Sequence, residues 1–205
     1  DGYGLGRAMT GMSFALAYDW LYNLWSEQQR EWVRSIIVRS IGEWTELELA
    51  LNNKGNIIEE LHGNHLHEPF QSNWVAVCLG AQIVMMLATY VEDSDETGAF
   101  YLSSQTSFRH RYESLKSTLA KHIHATYGTL GMTGEGLFYC EFAGSFLLPA
   151  AYAMAQTGDS EIYDSCSTRQ WWKWLMYAGA TGSRTRFHIL NGVDSGEWHG
   201  KGWAT

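Results

Sequence analysis

Side chains that move protons and donate hydrogen bonds are concentrated in one stretch, His62-Gly63-Asn64-His65-Leu66-His67-Glu68-Pro69, continuing as Phe70-Gln71-Ser72-Asn73-Trp74. Three histidines, two asparagines and a carboxylate stand directly before a long apolar run. Imidazoles exchange protons near neutral pH, and carboxamides orient or neutralise a charged group without titrating. A second segment, Glu135-Gly136-Leu137-Phe138-Tyr139, adds a carboxylate and a phenol. Together these residue types suit abstraction and return of a proton, with Tyr139 set opposite the histidine stretch. His62, His65 and His67 would also offer three imidazoles to a catalytic zinc with an open position. Their spacing matches no zinc motif, so no metal is assigned. Each residue has a plainer reading too. Asn64 is a turn former, Asn73 a helix cap, His62 a structural side chain and Tyr139 an aromatic anchor. Trp74 reads equally as core or as a sugar platform, and Glu135 orients the Tyr139 loop.

Positioning such groups requires a scaffold, and 205 residues are enough for one domain with a real core. Ten Trp, eleven Tyr and eight Phe suit packing between helices and also suit stacking on sugar rings. The formal charge of −8 argues against a nucleic-acid partner, because phosphate binding needs an excess of basic side chains. An anionic polymer remains compatible if arginines collect in one groove, the candidates being Arg7, Arg109, Arg111, Arg184 and Arg186. Cys78, Cys140 and Cys166 are odd in number and lack a CxxC pair, so neither a disulfide framework nor a zinc knuckle is indicated. No signal peptide or membrane span is legible. The run from Val75 to Val91 carries Gln82, falls short of a span and reads as a buried helix. A chain that opens on Asp1 and closes on Thr205 after a Gly-rich segment reads as a fragment of something longer.

Taken in order, the Gly-rich start Asp1 to Gly6 is not a dinucleotide fingerprint, since the spacing is wrong and no strand precedes it. Met12, Leu16, Trp20, Leu21 and Leu24 recur at helical spacing over about Arg7 to Trp25. Ser26 with Gln29 predicts a capping box for a second helix, whose apolar stripe is Trp32, Val33, Ile36, Ile37, Ile41 and Trp44. Asn52 to Asn56 breaks that pattern. A third helix from about Pro69 to Val91 is apolar nearly all round and therefore an inner one. After the acidic loop Glu92 to Gly98, a fourth helix (Ser107 to Tyr127) is more polar and outer. A fifth runs from Tyr139 to Gln156 with a kink expected at Pro149. Asp159 or Ser160 caps a sixth, carrying Trp171, Trp172, Trp174 and Leu175, and a strand follows Thr181. The expectation is all-α: an incomplete (α/α) toroid of about six helices in antiparallel hairpins over 1–180, with a β-rich region beginning at 181–205.

Three places then resemble the heparinase II/III-like polysaccharide lyase superfamily, which includes dermatan sulfate epimerase-like proteins. Tyr18-Asp19-Trp20-Leu21-Tyr22-Asn23, running into Ser26-Glu27-Gln28-Gln29, is similar to that family's YD-aromatic-LY helix and the capped helix after it. Leu61 through Asn73 resembles the segment bearing its NH pair, and Glu135 through Tyr139 resembles its EG-x-x-Y segment. The resemblance implies a toroid followed by β-sandwich material, a lyase or C5-epimerase acting on uronic-acid polysaccharides, and a periplasmic or secreted location. It implies no cofactor, although a structural divalent metal in a downstream β domain is compatible with it. Two departures stand out. The spacer between the NH pair and Asn73 is longer here, so His65 and His67 compete for one role. The family's further histidines would lie beyond Thr205, and His188 and His199 are not assigned to them.

On that expectation the chemistry is β-elimination. Removing the C5 proton of a uronic acid is difficult while its carboxylate is charged, and preorganised donors that neutralise it stabilise the enolate-like transition state. Asn64 and a histidine suit that role, and a protonated Glu68 would share it. General acid and base transfers, typically worth ~10²–10⁴-fold each, fall to Tyr139 on one face of the sugar and to a histidine for the opposite C5 configuration. Catalytic candidates are thus Tyr139, His65, His67 and Asn64, with Glu68, Asn73, Trp74, Glu135, Arg109 and Arg111 contacting an anionic polysaccharide. Neither nucleic acid nor membrane is an expected partner. An inverting glycoside hydrolase would instead need two carboxylates about 6.5–9.5 Å apart, from Asp19, Glu68 and Glu135. A non-catalytic carbohydrate-binding helical fragment is the third reading.

Overall fold

The structure, a computed structural model, describes residues 4–52, 73–90, 107–127, 137–165, 170, 179–183 and 186–189. Among these residues the chain is mostly helical. The helices are α1 (Leu5–Trp20), α2 (Glu27–Asn52), α3 (Asn73–Thr89), α4 (Phe108–Tyr127) and α5 (Leu137–Gln156), with a 3₁₀ turn at Tyr22–Leu24. Residues 161–165, where a sixth helix is expected to begin, are turn and bend; the rest of that helix with its Trp171–Trp174 cluster, and the expected first turn of the third helix at Pro69, lie outside the described residues.

Short-range chemistry sets the helix ends. The Ser26 amide donates to Gln29 Oε1 at 2.9 Å and the Gln29 amide donates back to Ser26 Oγ at 3.3 Å, the reciprocal capping box read from the sequence. Ser107 accepts from the His110 amide at 3.2 Å and starts α4 in the same manner. At the end of α5 the amide of Asp159 bonds the carbonyl of Met154 and that of Gly158 bonds Ala155, with Gly158 at φ 92°. That is a Schellman closure, and the left-handed conformation favours glycine at its pivot.

α1 and α2 form an antiparallel hairpin. Arg7 pairs with Glu43 at one end. At the other, Tyr18 meets the edges of Tyr22 and Trp25, and the Arg30 guanidinium lies 4.4 Å from the Tyr22 ring centre. Arg34 Nε donates to the Thr89 carbonyl, which brings the last residue of α3 to the C-terminal end of α1. α1 and α3 therefore run parallel, with Gly11 of one against Met85 of the other. Tyr90, just past α3, stacks on Phe108 at the start of α4, so α4 returns antiparallel. Lys116 of α4 then bridges Asp159, just past α5, at 2.6 Å. α5 thus ends where α3 ends, and α1, α3 and α5 all point the same way.

α3 is the centre of this arrangement, packing on α1 along one side and α5 along the other, with α2 and α4 behind it. It has no charged residue and is buried on every side over most of its length. The core is one contiguous cluster that includes Ala8, Met12, Val33, Ile37, Ile41, Trp44, Ile83, Met85, Leu119 and Leu147. Burying such an aliphatic side chain contributes about 1.5–3 kcal/mol each. Gly80 makes the α3–α5 contact possible: a Cβ there would sit 2.6 Å from the Phe146 carbonyl oxygen.

Two expectations about burial are overturned. Trp32 is 64 % exposed and Trp20 and Leu24 are more so, whereas the sequence placed all three on buried stripes. The true stripe of α2 is Val33, Ile37, Ile41 and Trp44, and Trp32 lies one residue, about 100° of helix, away from it. In α1 the buried positions are Ala8, Met12, Ala15 and Tyr18, a phase that small alanines mark weakly in the sequence. Near the C-terminus, Gly179–Ser183 and Arg186–Ile189 pair antiparallel as β1 and β2, with Ala180 opposite His188 and an irregularity between Thr181 and Ser183.

Candidate functional site

The shared direction of α1, α3 and α5 decides which residues can meet. α1, α3 and α5 begin at one end of the bundle, and α3 begins on Asn73. Gly80 touches Phe146. Gly80 follows Asn73 by seven residues and Phe146 follows Tyr139 by seven, so Asn73 and Tyr139 stand level on neighbouring parallel helices. Packed helix axes lie about 8–10 Å apart, and at Gly80 the two helices approach closely. Asn73 is 5 % exposed, while Trp74 and Tyr139 are half-buried. Three of the sequence-selected residues therefore share one end of the fold. The positive ends of the three helix dipoles follow from chain direction and also lie there.

The remaining candidates of that cluster, His62, Asn64, His65, His67, Glu68 and Glu135, lie outside the described residues, as does any zinc set built from the three histidines. Among the described residues no group of three or more His, Cys, Asp or Glu is placed to hold a metal ion. Cys78 and Cys140 are buried on α3 and α5 and form no disulfide, in keeping with small core residues.

Arg109 and Arg111 are not brought to Tyr139. Both lie in the first turn of α4, which stands beside the C-terminal ends of α3 and α5. Arg111 reaches α3 at Gln82, nine residues or about 13 Å at 1.5 Å per residue from Asn73. Arg109 is exposed. Arg111 is 7 % exposed, and its guanidinium donates to Oε1 of the fully buried Gln82 at 2.5 Å. It serves the α3–α4 interface. The signal for this was in the sequence: Gln82 is the one strongly polar side chain in the middle of an apolar helix, and such a residue requires a partner on the helix beside it. Asp19, a carboxylate considered for hydrolysis, is likewise at the far end, in the last turn of α1.

Sequence reasoning missed a second polar cluster at the α4–α5 junction. Lys116 pairs with Asp159 at 2.6 Å and with Glu161 at 3.6 Å. The Asp159 partner holds the Lys116 ammonium above its ordinary range. Burial, and then the Asp159 charge, push the Tyr112 phenol up to about 12. Burial also raises the phenol of Tyr18. These are locks between elements, remote from Tyr139. A groove of about 320 Å³ lies between α1 and α2, walled by Phe14, Ile36 and Ile37 and floored by Met85, and no residue of α5 lines it.

No helix among the described residues is long and apolar enough to cross a membrane. Comparison with protein families, with curated proteins and with solved structures returned no match.

Proposed function

We propose that the chain is the helical part of a uronate-acting polysaccharide lyase, with Tyr139 as general base and acid and Asn64 with His65 or His67 neutralising the substrate carboxylate. The architecture that goes with this reading is an incomplete (α/α) toroid, with β1 and β2 opening a β-rich region. The observation that carries the reading is the level placement of Asn73 and Tyr139 at the common start of the parallel inner helices. The two polar segments chosen for their chemistry lead directly into those two helix starts. Positive helix ends favour the anionic substrate there. Trp74, half-buried at the same level, offers an aromatic face to a sugar ring. Arg109 and Arg111 are left out of the site.

In the proposed step, the donors hold the carboxylate while the Tyr139 phenolate takes the C5 proton. The C5–H electrons form the C4–C5 double bond, and the bond from C4 to the leaving glycosidic oxygen breaks. The same phenol returns its proton to that oxygen. The test is incubation of the full-length protein with uronic-acid polymers, reading the ultraviolet absorbance of unsaturated ends. Tyr139→Phe is expected to abolish it with the fold intact by circular dichroism. New reducing ends without unsaturation would replace elimination by hydrolysis. Solvent deuterium at C5 without chain cleavage would make the enzyme a C5-epimerase. Absence of change on every uronate polymer would refute the reading.

A further inference from the structure

We draw no further inference here: the strongest candidate, the exposed apolar patch of Trp20, Tyr22, Leu24 and Trp32 on the braced turn between α1 and α2, is an unpartnered face, and nothing in the structure shows what covers it.

Discussion

Replacing Gly80 by alanine sets two physical effects against each other. On intrinsic propensity the substitution helps, because alanine is favoured over glycine inside a helix by about 0.8–1.0 kcal/mol. In this fold the new methyl would meet the Phe146 carbonyl oxygen at 2.6 Å, its carbon at 2.8 Å and the Phe146 Cβ at 3.1 Å. Carbon contacts are optimal at about 3.5–4.0 Å, so one of the two helices must retreat by roughly 0.5–1 Å. The obstacle is backbone, which no rotamer change relieves. Overpacking of this kind costs typically 1–3 kcal/mol, and moving whole helices puts Gly80 toward the upper part of that range. The net expectation is a loss of about 1–2 kcal/mol, or roughly 2–8 °C in Tm at this chain length. Gly11→Ala is the matched comparison. Its methyl would meet only the Met85 thioether, at 2.5 Å from Sδ, and a flexible side chain turns aside at little cost. Gly6→Ala has nothing within 4 Å and is expected to gain stability from propensity alone. Urea and thermal unfolding of the three variants should rank Gly6→Ala above Gly11→Ala above Gly80→Ala. A Gly80→Ala protein as stable as the parent would refute the close α3–α5 approach, and with it the level placement of Asn73 and Tyr139.

Ser26→Ala removes the acceptor for the Gln29 amide and should cost about 1 kcal/mol in chemical denaturation, the usual effect of losing an N-cap. Tyr112 and Lys116 both bind their protons more tightly in the folded state, so the stability they add is complete below pH 10 and falls as pH rises toward about 12. Tyr112→Phe should flatten that alkaline decline, measured by urea titration across pH 9 to 12, and an unchanged slope would count against the burial of the phenol. Gln82→Leu strips a hydrogen bond from a buried guanidinium and is expected to destabilise the protein by about 1.5–3 kcal/mol. Arg109→Ala should leave both stability and uronate turnover at the parent level, and a collapse of turnover would overturn its placement away from Tyr139.

Elements whose signal is local were legible. The Ser26–Gln29 box needs only residues three apart, and α3 declares itself inner because no side chain in it is charged. The polar face of α4 likewise marks it as outer. Helix phase was legible only where large residues carry it. α2 buries Val33, Ile37, Ile41 and Trp44, yet Trp32 counts as strongly apolar in any periodicity and pulls the stripe off by one position. In α1, Ala8, Gly11 and Ala15 face the neighbouring helices because small residues allow close approach, and a reading weighted by side-chain size favours Leu16, Trp20 and Leu24 instead. Arg111 was misjudged for a related reason. An arginine on a polar helix suggests solvent, and only Gln82 on a different helix shows that it turns inward.

The direction of the helices was the least legible property and matters most for chemistry. Nothing within α3 or α5 says which ends are neighbours; that follows from Arg34 reaching Thr89, Tyr90 reaching Phe108 and Lys116 reaching Asp159. Had α5 run antiparallel to α3, Tyr139 would stand near Thr89, close to the arginines and remote from Asn73. The parallel arrangement instead sorts the polar candidates by end. Asp19, Arg109 and Arg111 fall with the helix C-termini, while Asn73, Trp74 and Tyr139 fall with the N-termini. The consequence for mechanism is concrete. A pair of hydrolytic carboxylates about 6.5–9.5 Å apart cannot include Asp19 together with any group at the start of α3 or α5. Of the three acids considered for hydrolysis, Glu68 and Glu135 remain. The proposed elimination makes no such demand, since one phenol at the position of Tyr139 would carry the proton in both directions.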